Sequence, residues 1–137
     1  MINEIKDTYN INELKKQLVR FFFSSHCFGF VGSIELLKNG ENIRYRHSYD
    51  EIEDKYTEYE YTMDNWENFV NELFNMNIHK WKEIYKNKVF AEDCEEWTIE
   101  MEFSSIEKIT RFGYDEYPYN WKIFENIISK YFPQMEY

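Results

Sequence analysis

Apolar positions along the chain change period several times, and each change marks an element. Ile11, Leu14 and Leu18 have helical spacing, which predicts a short opening helix. From Leu18 to Ser24 the period falls to two, and Val19, Phe21 and Phe23 share one side of a predicted strand. Ile34 and Leu36 precede Asn39-Gly40, and Ile43 and Tyr45 follow it, the pattern of a β-hairpin whose two turn residues both tolerate positive φ. Arg44 and Arg46 then fall on the opposite, solvated face of the second hairpin strand. Tyr56 to Tyr61 alternates Tyr with Thr or Glu and reads as an edge strand, its carboxylates discouraging further pairing.

Asp64 with Glu67 resembles a capping box. It opens a helix whose stripe is Trp66, Phe69, Val70, Leu73 and Phe74, ended by Asn75 and Asn77. Glu96 to Phe103 is the clearest strand. Trp97, Ile99, Met101 and Phe103 point one way, and Thr98, Glu100 and Glu102 point the other onto an anionic solvent face. Ile106 to Phe112 reads as a returning strand. Asn120 is placed to cap a last helix with the stripe Trp121, Phe124, Ile127, Ile128 and Tyr131, stopped by Pro133. Strand, hairpin, helix, strand pair, helix lacks the regular alternation of a parallel sheet. The expectation is an α+β fold, an antiparallel sheet with two main helices packed on one face. One domain spans 1–137, with 1–14 a short helix or mobile arm.

Composition sharpens this picture. Against 16 Lys and Arg stand 26 Asp and Glu, a net charge of −10, and 20% of the residues are aromatic. Asp50 to Glu60 holds six carboxylates opposed by Lys55 alone, and Glu92 to Glu102 holds six with no base between them. Such a surface repels nucleic acid and membrane phosphates and favours a basic protein partner. No apolar run reaches the ~20 residues of a membrane span, and the start lacks a basic region followed by an apolar one. Two cysteines, Cys27 and Cys94, do not make a disulfide framework, and the expected setting is a reducing cytoplasm. Richness in Asn, Lys, Ile, Tyr and Glu hints at a low-GC bacterium or its phage.

One set of residues spread along the chain carries a resemblance. It comprises Phe22-Phe23-Ser24-Ser25, Trp81 with Tyr85, Trp97-Thr98-Ile99-Glu100-Met101, Gly113, Tyr117-Pro118 and Trp121. From about Phe22 to Phe132 the chain resembles a family of small α+β bacterial proteins with no established activity. Asp93-Cys94-Glu95-Glu96 stands where that family has Asp-Gly before its second Trp. Gly113-Tyr114-Asp115-Glu116-Tyr117-Pro118 stands where it has Gly-Ser-Asn-Ala-Tyr-Pro. The resemblance implies a fold and no reaction.

Catalytic candidates do not assemble in the sequence. His26-Cys27 are neighbours, and neighbours on a strand face opposite ways, so the bland reading of a small buried Cys beside a turn His is preferred. His47, His79 and Cys94 are isolated, without the paired spacing of a zinc site, and no metal or cofactor is expected. Glu100 and Glu102, about 7 Å apart along a strand, read first as a solubilising face. The four glycines are scattered, and no phosphate-cradling loop occurs. Lys80, Lys82, Lys86 and Lys88, with Trp81 and Tyr85, are the one counter-signal, read as an exposed lysine-rich edge.

The function expected is therefore binding without catalysis: an acidic inhibitor of a basic nucleic-acid-handling protein, of the anti-CRISPR kind made by phages. Carboxylates would stand where phosphates do, and tyrosines would supply desolvated contacts. Tyr56, Tyr59, Tyr61, Tyr114, Tyr117 and Tyr119 sit beside carboxylates in predicted loops and edges. The expected contact residues are Glu51, Glu53, Asp54, Glu58, Tyr59, Glu60, Glu100, Glu102, Asp115 and Glu116. A bacterial housekeeping or toxin-immunity protein is the alternative, and an enzyme with a deep pocket ranks third. An uncovered apolar sheet face would imply a homodimer.

Overall fold

A computed structural model describes residues 10–25, 32–48, 56–86 and 96–135. Its order is α1 (Ile11–Gln17), β1 (Leu18–Ser25), β2 (Gly32–Asn39), β3 (Asn42–Ser48), β4 (Thr57–Tyr61), α2 (Met63–Asn75), β5 (Ile84–Lys86), β6 (Glu96–Phe103), β7 (Ile109–Tyr114) and α3 (Trp121–Tyr131). One-turn 3₁₀ helices follow α2 at Ile78–Lys80 and α3 at Pro133–Met135. The fold is α+β. Among the described residues seven strands form one sheet in the order β4-β3-β2-β1-β6-β7-β5. It is antiparallel throughout except that the short β5 runs parallel to β7. The expected sheet was wholly antiparallel; a three-residue strand inside a Lys-rich segment offers too few positions to show a period.

Alternation sorts the side chains. Phe21, Phe23, Ile34, Leu36, Trp97, Ile99 and Met101 are buried on one face of the sheet. Phe21 meets Phe69 of α2 edge-on at 5.0 Å between ring centres. Phe23 meets Phe124 of α3 in the same way at 5.1 Å. Val19 leaves the pattern because the β1–β6 register shifts between Leu18 and Arg20.

Several local expectations are corrected. The hairpin turn is Gly40-Glu41, since Asn39 already pairs with Asn42, and of the two central residues only Gly40 takes a left-handed φ, 65°. The cap of α2 is Thr62, whose hydroxyl accepts from Asn65 N at 3.1 Å, two residues earlier than the Asp64 pairing predicts. The returning strand starts three residues later than the Ile106 expected from sequence, because 104–108 make the turn. Asn120 stands at the N-cap of α3 but makes no capping bond with its side chain.

Candidate functional site

The sheet face opposite Phe21 is charged and ordered in rows. One row runs Glu58, Arg46, Glu35, Phe22, Glu100, Thr110 across β4, β3, β2, β1, β6 and β7. The next runs Glu60, Arg44, Leu37, Arg20, Glu102. Arg20 lies between three carboxylates, 2.8 Å from Glu35, 3.5 Å from Glu100 and 3.0 Å from Glu102. Lys108 holds the other oxygen of Glu100 at 2.7 Å. Arg44 holds Glu58 at 2.6 Å, and Arg46 bridges Glu35 and Glu58 at 3.9 and 3.8 Å.

The electrostatics follow from these contacts. Partial burial alone would push the Glu100 carboxyl up, but the hydrogen bond and charge of Lys108, with the charge of Arg20, hold it below the ordinary carboxylate range. Burial likewise opposes the charge of Arg20, and its three glutamates outweigh it and raise its pKa. Five carboxylates in these rows (Glu35, Glu58, Glu60, Glu100, Glu102) thus face four cations (Arg20, Arg44, Arg46, Lys108). The face is nearly compensated, where alternation in β6 alone suggests bare anionic charge. The signal that would have shown it is the alternation of Arg20 on β1 and of Arg44 and Arg46 on β3, which puts them beside those acids.

The remaining contact candidates fall in separate places. Glu60 is exposed on the outermost strand β4 and makes no ion pair among the described residues. Tyr59 and Tyr61 are half-buried against Tyr45, with ring centres 5.2 and 5.5 Å away, so they belong to the core side of β4. Tyr56 is exposed, with the Arg46 guanidinium 4.1 Å above its ring. Asp115 adopts a left-handed φ of 56° after β7, and the Glu116 carbonyl accepts from the Trp97 indole at 3.0 Å. Glu51, Glu53 and Asp54, with His26, Cys27, Lys88 and Cys94, lie outside the described residues. His47 and His79 are buried, and burial lowers the pKa of His47. Among the described residues no three His, Cys, Asp or Glu side chains come together as metal ligands would. No described helix is long and apolar enough to cross a membrane.

A shallow groove of about 420 Å³ lies between α2 and α3, which the separate helix stripes did not reveal. Met76 and Ile127 line it, with Asn75 and Asn126 among its polar groups. Among its described lining residues the one carboxylate, Glu72, is held by Lys130 at 3.2 Å and by the Tyr131 hydroxyl. No protein-family model matches the chain, and no curated protein matches it either.

Proposed function

We propose that the chain is a non-enzymatic binding domain that inhibits a basic nucleic-acid-handling protein, docking on it through β4 and the start of α2. In this reading the two long helices cover the Phe21 side of the sheet, and the ion-paired side keeps β3 and β4 stiff. What supports the reading is the run from Tyr56 to His79, which contains no Lys or Arg. Glu58 and Glu60 on β4 and Asp64 and Glu67 on α2 are all exposed along it. Glu58, Glu100 and Glu102, already engaged by arginines and Lys108, act as framework in this reading and leave the contact to Glu60, Asp64 and Glu67. Carboxylates in that arrangement steer a basic surface by long-range attraction and fix its approach.

The test compares the native chain with Glu60→Lys/Asp64→Lys/Glu67→Lys as bait in affinity capture at low and high salt. The expected result is one basic nucleic-acid-binding protein held by the native chain at low salt, released at high salt and missed by the triple variant. Equal capture by both baits would overturn the reading, as would no salt-sensitive capture by the native one.

A further inference from the structure

The chain has four arginines, and three of them, Arg20, Arg44 and Arg46, lie within ion-pair distance of a glutamate. Arg111 differs. It is half-buried on β7, on the Ile99 side of the sheet. Its guanidinium donates to the Thr110 carbonyl at 3.0 Å and to the His79 carbonyl at 3.5 Å. Among the described residues its buried Nε has no partner and no carboxylate reaches ion-pair distance. A guanidinium is a rigid fork matched to carboxylate and phosphate oxygens, and a desolvated one without a counter-charge is costly. Burial lowers its pKa, and the nearby Glu83 and Tyr85 only partly oppose that.

Its surroundings are basic in an otherwise acidic protein. The segment His79–Lys86 runs alongside Arg111: the His79 carbonyl meets the guanidinium, and the Glu83 carbonyl accepts from Phe112 N at 3.0 Å. Lys80, Lys82 and Lys86 in that segment are exposed. The Tyr85 hydroxyl accepts from Lys82 N at 3.0 Å, and among the described residues no acceptor takes its proton. The Lys82 ammonium lies 6.0 Å from the centre of the Tyr85 ring. Glu83 is the one acid in the segment.

We propose that Arg111, with Lys80, Lys82 and the Tyr85 hydroxyl, forms a binding site for a small oxyanion, the phosphoryl or carboxylate group of a ligand. This site stands apart from β4 and does not depend on the function proposed above.

The experiment is a ¹H–¹⁵N NMR titration of the full chain with inorganic phosphate and, separately, with acetate, each against sodium chloride at matched ionic strength. The site predicts saturable shifts confined to residues 79–86 and 110–113. Saturation by phosphate alone assigns a phosphoryl ligand, and saturation by acetate assigns a carboxylate. Arg111→Gln should weaken binding about tenfold to a hundredfold, the effect of losing a charge-assisted hydrogen bond. Glu83→Gln, which removes the one opposing charge, should tighten it. Shifts that chloride reproduces, or that stay linear in concentration, overturn the proposal. Should Arg111→Gln fail to fold, unchanged affinity in both Glu83→Gln and Lys82→Gln overturns it equally.

Discussion

The indole of Trp97 on β6 packs directly against Gly113, its register partner on β7. A Cβ placed on Gly113 would stand 2.0 Å from the indole Nε1 and 2.6 Å from the Glu116 carbonyl oxygen that this nitrogen bonds. The same indole meets Trp121 at 4.7 Å, Trp81 at 5.9 Å and Tyr85 at 5.9 Å, and Tyr117 closes on Trp121 at 5.0 Å. Residues 81, 85, 97, 113, 117 and 121, scattered in sequence, are therefore one cluster joining β5, β6, β7 and α3.

Gly113→Ala should destabilise the protein by about 1–3 kcal/mol, the usual cost of forcing extra volume into a packed interior. The Glu116 carbonyl is backbone and cannot swing aside. Denaturant unfolding followed by tryptophan fluorescence would measure the loss. Unchanged stability would mean that the Trp97 indole has room to move.

Much of this was legible in the sequence and some was not. Phe21, Phe23, Ile99 and Met101 alternate cleanly because a half-buried strand imposes a period of two, and the stripes of α2 and α3 follow from 3.6 residues per turn. The charge lattice was less legible. Arg20 meets Glu102 from 82 positions away, and that pairing depends on which strands neighbour each other. β5 was hidden because its partner β7 comes later in the chain and its three residues alternate too briefly. Asn120 misled for a different reason: an Asn before an apolar stripe reads as a cap, but a tertiary partner took its side chain.

That partner is Trp81. The Asn120 side chain accepts from the Trp81 indole at 2.8 Å and donates to the Met76 carbonyl at 3.0 Å, with Asn120 and Trp81 both buried. It thereby satisfies a carbonyl at the end of α2 and a ring nitrogen together. Asn120→Leu should cost about 2–4 kcal/mol, since it strands a buried donor and a buried acceptor. Asn120→Asp keeps the acceptor for Trp81 but sets a carboxylate against the Met76 carbonyl, and should be at least as damaging. Thermal unfolding of the two variants would test this; a shift within error for both would show that water replaces the side chain.

Arg20 is the hub of the charge lattice, so Arg20→Met should leave Glu35, Glu100 and Glu102 facing one another with less compensation. The groups are partly exposed, and solvent screening limits the loss to about 1–2 kcal/mol. The sign of the salt effect is diagnostic. Added salt should narrow the gap between Arg20→Met and the native protein, because it screens the repulsion that the substitution uncovers. A gap that does not change with salt would assign the loss to the contact of the Arg20 guanidinium with the Phe22 ring, whose centre is 5.3 Å from the guanidinium carbon.

His47 gives the fold its own pH dependence. It is fully buried on β3, and desolvation lowers its folded pKa below the ordinary 6.5. The folded state therefore resists taking a proton that the unfolded chain accepts readily. The stabilisation is complete above pH 6.5 and is lost progressively as pH falls through that value toward the lowered folded pKa. Glu100 acts in the same direction at more acid pH, since its folded pKa is lowered below 4.5 and its contribution is lost as pH falls from there. Two separable declines are expected in a plot of unfolding free energy against pH. His47→Gln should flatten the upper decline and leave the lower one, and Glu100→Gln should do the reverse. A slope near pH 6 that survives His47→Gln would show that His47 is not its source.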